Sequence, residues 1–233
     1  GTHTNDRVGI SLIALSNGNY ATGSSLWDNG ALADAGAVTW GDGTQGVTGT
    51  ISSLNSLVGE TANDNLGYVI ALSDGAFVVD SPNWSNGAVA HVGAVTWASG
   101  SEPITGSVSA ANSLVGTEAM DRLGYTEVTA LPNGDYAFRN DWWRAVGLQT
   151  YTGAITWGRG GAALTGSLSA VNSVLGTTAD GGRGLAYAYD AVRERLIVAR
   201  RADHLITFFQ ASQRPVAVAG ADQQVASSYT VQL

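Results

Sequence analysis

A chain of 233 residues is long enough to bury a substantial core, as one large domain or two small ones. Its net charge of −8 and pI near 4.6 argue against polyanionic partners, so neither nucleic acid nor membrane insertion is expected. Without cysteine there are no disulfides, thiol nucleophiles or cysteine-ligated metals, and no apolar run approaches the ~18 residues that span a bilayer.

Glycine is abundant at 31 residues, proline scarce at 4, and charged residues make up only 13%. That composition favours many short strands and tight turns over long helices. The opening GTHTNDRVG has no signal-peptide character and reads as a mature or trimmed segment. From there a repeat organises the chain. The first unit, residues 5–62, begins with Asp6 in DRVG and continues with strands at 10–16 and 19–23 around Asn17-Gly18. Asn-Gly between apolar runs predicts a two-residue type I′ hairpin with φ > 0 at both positions. A third strand follows at GAVTW, residues 36–40, and a fourth is expected at 48–52.

The second unit, 63–119, repeats the plan with Asp64, a turn at Asp74-Gly75, GAVTW at 93–97 and a fourth strand at 105–109. The third, 120–178, has Asp121, a turn at Asn133-Gly134, GAITW at 153–157 and a fourth strand at 165–169. Trp40, Trp97 and Trp157 are therefore 57 and then 60 residues apart. Alternation within the pentapeptide puts Val38 and Trp40 on one face, the expected contact between units. The fourth unit, 179–210, opens with the weaker DGGRG at Asp180 and keeps a hairpin and a third strand, with no fourth strand evident. Its Arg193, Arg195, Arg200 and Arg201 read as a solvated hairpin edge.

Units of 57–60 residues with four antiparallel strands are too long for a β-helix rung and suit one blade of a propeller. The expected fold is thus all-β, a β-propeller or part of one, whose ring four blades, a homo-oligomer or further blades would complete. Residues 211–233 change composition and resemble a linker and first strand or strands of an immunoglobulin-like or PKD-type module. The unit D-R-L-G-Y, A-L-x-N-G, G-A-V-x-W resembles the FG-GAP-type blade of integrin heads and bacterial surface proteins. It is similar also to tandem repeats of bacterial haemagglutinin-like and adhesin-like exoproteins. The resemblance implies a secreted or bacterial cell-surface location. The DxDxDG calcium loop of FG-GAP blades is replaced by short turns, which cannot supply the six to eight oxygens calcium takes.

Candidate chemistry is sparse. Asp6, Asp64, Asp121 and Asp180 read either as ligands or as carboxylates closing turns through backbone amides. Asn55, Asn112 and Asn172 are expected to be buried bridges between strands. A second tryptophan column lies in polar loops: Trp27, Asp28 and Asn29 in LWDNG, Trp84 and Asn86 in NWSNG, and Asp141, Trp142, Trp143 and Arg144 in NDWWR. Aromatic faces beside such groups bind sugar rings, but the reading preferred over a sugar site is a tryptophan wedged into the neighbouring unit. His3, His91 and His204 show no metal-ligand spacing, and no GxSxG elbow occurs. The expectation is a structural or adhesive interaction module with no catalysis, cofactor or metal. Its partners would be other protein modules or surface glycans, and the alternative is a carbohydrate-binding propeller.

Overall fold

A computed structural model describes residues 1–126, 128–144, 150–210 and 228–232. The first unit forms β1 (Ser11–Ala14), β2 (Tyr20–Ser24), β3 (Ala37–Gly41) and β4 (Leu57–Val58). The second forms β5 (Tyr68–Ala71), β6 (Phe77–Ser81), β7 (Ala94–Ala98), β8 (Gly106–Ser107) and β9 (Leu114–Val115). The third forms β10 (Thr129–Ala130), β11 (Tyr136–Asn140), β12 (Ala154–Gly158), β13 (Gly166–Ser167) and β14 (Ser173–Leu175). The fourth has β15 (Leu185–Asp190), β16 (Arg195–Arg200), β17 (Leu205–Phe209) and β18 (Ser228–Gln232). The protein is all-β, and no helix of the described residues is long and apolar enough to cross a membrane.

Each hairpin turn differs from the two-residue expectation. Gly18 donates its amide to Leu15 at 3.1 Å while Leu15 donates to Asn19 at 2.8 Å, and the pattern recurs at Leu72–Ala76 and Leu131–Asp135. Only Gly18, Gly75 and Gly134 have positive φ, at 90°, 92° and 88°. These are three-residue loops in which a left-handed glycine follows an ordinary turn. The Asn17, Asp74 and Asn133 carboxamide or carboxylate oxygens accept the amide two residues on, which holds the preceding turn in place.

The fourth strand of each unit lies further along the chain than expected. β4, β9 and β14, drawn from the NSLVG and NSVLG stretches, pair antiparallel with β3, β7 and β12. Residues 105–109 and 165–169 instead contain β8 and β13, which pair in parallel with β4 and β9 of the preceding unit. The stretch 48–52 forms no strand. The resulting sheets run β1-β2-β3-β4-β8, β5-β6-β7-β9-β13, β10-β11-β12-β14 and β15-β16-β17-β18. The last contains a strand expected in the following module, since β18 pairs antiparallel with β17. The rest of the expected following module, 211–227 and Leu233, lies outside the described residues.

Packing between units explains the pentapeptide. Val38 and Trp40 join Phe77, Val79 and Trp84 of the second unit in one core, and Val95 and Trp97 join Tyr136, Phe138 and Trp143 of the third in the next. Ile155 and Trp157 pack with Leu196, Val198 and Phe209 of the fourth. The glycine has its own role. Gly36 and Gly93 bridge in parallel to Leu66 and Leu123, with φ of 77° and 73°. A Cβ at either position would occupy the space of those leucines' backbone atoms.

Candidate functional site

The repeated aspartates are built into turns. Asp64 is buried, and its Oδ2 accepts the amides of Glu60 and Thr61 while its Oδ1 accepts that of Ser85 at 3.0 Å. Asp121 does the same with Thr117, Glu118 and Arg144, and Asp6 with Thr2, His3 and Asp28. Burial raises the carboxyl pKa of Asp64 and Asp121, partly offset by these amides. At Asp6 burial also acts upward, but the amide bonds outweigh it and the pKa is lowered. Each side chain thus fastens one turn to the loop that follows the second strand.

Asp180 does not join this column. It is exposed with φ of 56°, the conformation of Asn63 and Met120, the residues before Asp64 and Asp121. Gly181 occupies the aspartate's place, and Asp203 supplies the carboxylate from another element. It accepts the Thr178 amide at 2.8 Å, the Thr177 amide at 3.1 Å and the Arg200 Nε at 2.8 Å. Arg195 and Arg193 share Asp190, so three of this group's four arginines have an acidic partner within the same hairpin and turn.

A recurrent hydroxyl pair was not anticipated. The threonine of each pentapeptide meets a serine at or just before β4, β9 or β14 in the interior: Thr39 with Ser56 at 2.7 Å, Thr96 with Ser113 at 2.6 Å and Thr156 with Ser173 at 2.7 Å. Each serine also donates to the adjacent asparagine Oδ1, which accepts the amide three residues earlier. Asn55, Asn112 and Asn172 are only partly buried and clamp a turn locally, so they are not buried bridges between strands.

The second tryptophan column is largely internal. Trp27, Trp84 and Trp143 are 5%, 4% and 4% exposed, which leaves no ring face for a ligand. Trp84 and Trp143 are wedged against the preceding unit, and Trp27 packs on Ala37 and Val58. The polar residues around them are engaged too. Asp28 accepts the Asp34 amide, Asn29 donates to the Gly59 carbonyl, and Asp141 pairs with Arg139. Asn86 is exposed and exchanges backbone bonds with Val89. Trp142 differs, being partly exposed and edge-on to Tyr125 and Tyr151 at 6.2 and 5.3 Å. Arg183 lies 5.1 Å over its ring, and Arg144, beside Asp121 at 3.9 Å, lies over Tyr151.

Beside this aromatic group lies a cleft of about 460 Å³ between units. Its rim carries Tyr68 and Tyr125, 59% and 54% exposed, which occupy the same position in successive units; the first unit has Ile10 there, 52% exposed. Asp80 lies buried in the cleft wall, opposite Tyr68 across the β5–β6 ladder, and so on the same face of the sheet. Gly124 with φ of 87° adjoins it, and a Cβ there would come within 2.5 Å of the Asp80 carboxylate. Asp80 departs from the repeat, since the equivalent positions hold Gly23 and Arg139. The LGY stretches at 66–68 and 123–125 and this single departure were the sequence signals for the cleft.

His3, Asp6 and Asp28 bring ligand-type atoms within 4.8 Å of one another, the one such group among the described residues. Both Asp6 oxygens already accept backbone amides. A comparison with curated proteins finds no match. A family model for a repeat of unknown function, DUF5650, matches residues 14–68, 71–125 and 130–184. Those three tandem copies begin at the hairpin and end in the next unit's opening, LGY in the first two and DGGRG in the third, the same period in a shifted frame. Since they cover more than half of the chain, it belongs to the DUF5650 repeat family.

Proposed function

We propose that this protein is a non-catalytic interaction module whose repeats are propeller-type blades, part of a secreted or surface-attached protein. One observation carries the reading: the recurring aspartate, threonine–serine and tryptophan columns are largely consumed by internal bonds and packing. The aspartates hold turns, the threonine–serine pairs join strands, and Trp40, Trp84, Trp97, Trp143 and Trp157 fill the spaces between units. Repetition in these columns therefore serves architecture, and the exposed LGY tyrosines together with the positions that vary between units are left for recognition. The blade reading is supported by successive antiparallel meanders packed face to face, and the FG-GAP likeness by the order of motifs within each. Further blades or a second copy would complete a ring, and light scattering on the purified chain distinguishes these arrangements.

The functional reading is tested with chromogenic glycosides, esters, phosphoesters and peptides incubated with the purified chain. No turnover above the protein-free blank is expected. Turnover of any of them that co-purifies with the protein and is lost on a single substitution would overturn it. The surface location is tested by protease accessibility on intact cells that express the full protein.

A further inference from the structure

We infer that the cleft between Tyr68, Asp80 and Tyr125 is a binding site for a neutral carbohydrate chain. The inference rests on the non-catalytic reading above and supplies the ligand class for it. Three independent observations converge. The volume of about 460 Å³ falls within the range of small-ligand sites, roughly 300–1,000 Å³. The rim offers two largely exposed tyrosine rings from equivalent positions of successive units, so the aromatic surface recurs along the stack. The wall carries a carboxylate at the one repeat position where the neighbouring units have glycine and arginine.

The chemistry of these groups selects the ligand. A pyranose ring has an apolar face, which stacks on an aromatic ring, and an equatorial belt of hydroxyls, which donate to a carboxylate. Asp80 would accept from hydroxyls, and the Asn83 carboxamide in the same wall can both donate and accept. Continuing from Tyr125, the partly exposed Trp142 extends the aromatic surface beyond the cleft, matching an oligomer better than a single sugar. A net charge of −8 repels sulfated and uronic-acid polymers, which leaves neutral glycans. The site does not use Trp27, Trp84 or Trp143, whose rings are covered.

The test uses the whole 233-residue chain on an array of neutral oligosaccharides built from glucose, galactose, mannose and N-acetylglucosamine. Titration calorimetry on the best binder follows. Binding to at least one class is expected, about tenfold weaker in Tyr68→Ala and in Tyr125→Ala. Asp80→Asn should weaken it too, whereas Leu54→Ala, at an exposed position away from the cleft, should not. Circular dichroism checks that each variant is folded, and exposure of both tyrosines makes that outcome expected. No binding to any neutral glycan, or binding unchanged in the Tyr68→Ala/Tyr125→Ala double variant, would overturn the inference. So would binding of extended peptides in place of glycans. None of these results touches the non-catalytic reading, whereas hydrolysis of a bound glycan would sink that reading and leave the site.

Discussion

Asp203 is the substitute that keeps the fourth unit attached to the third, and removing its charge has a calculable effect. Its hydrogen bonds from Thr177, Thr178 and Arg200 hold the carboxyl at about 2, below the ordinary 3.8, even though burial acts in the opposite direction. Because the folded value is the lower one, the ionised carboxylate stabilises the fold. The contribution is complete above 3.8, shrinks as pH falls through that value, and is gone below about 2. At about 1.4 kcal/mol per pH unit the gap amounts to roughly 2 kcal/mol. The side chain is only 4% exposed, so solvent screening trims this only slightly, to about 1–2 kcal/mol. Asp203→Asn should lose about that much at pH 7 in urea unfolding followed by tryptophan fluorescence. The difference from the unsubstituted chain should then close between pH 4 and pH 2. Asp203→Ala should lose a further ~1–3 kcal/mol, since two amides and a guanidinium lose their acceptor. A difference that stays constant with pH, or none at pH 7, would refute the assignment of the column's role to Asp203.

Three further perturbations probe the stack. Thr96→Val removes the buried bond to Ser113 and should cost about 1–2 kcal/mol in denaturant unfolding, with Thr96→Val/Ser113→Ala costing less than the sum of the singles. Gly93→Ala forces a Cβ into the Leu123 backbone at positive φ, so a fall in melting temperature of several degrees is expected by calorimetry. Trp84→Ala empties an inter-unit core position and should cost about 3–5 kcal/mol, a loss visible in urea midpoints; a loss below 1 kcal/mol would mean that the ring is not wedged there.

What the amino-acid sequence disclosed was whatever is encoded locally or by period. Asn17-Gly18 and its equivalents located the hairpins, because turn chemistry is decided within a few residues, although the loops hold one residue more than the dipeptide suggested. The alternation in GAVTW disclosed a shared Val–Trp face, which packs against the following unit. The parallel partners of β8 and β13 were not legible, since each pairs with a strand about fifty residues earlier and carries no mark of it. Asp203 was hidden for the same reason, bonding to amides some 25 residues upstream in place of Gly181. The tryptophan loops looked like sugar sites because polar neighbours surround Trp27 and Trp84 in the chain. In the fold those neighbours bond to backbone while the rings turn inward. The exposed aromatic surface belongs to Tyr68 and Tyr125, whose position beside Asp80 depends on strand register.

The parallel pairs β4–β8 and β9–β13 put the period of the sequence out of phase with the boundary of the sheets. The first two sheets each end on two residues borrowed from the next copy, so a cut after either of the first two copies leaves a sheet without its last strand. Inserting one whole period at either of these junctions, by contrast, brings its own borrowed strand for the unit before and an open edge for the unit after. Length can change by whole copies without any new interface having to be invented, while a partial copy leaves one sheet missing its last strand.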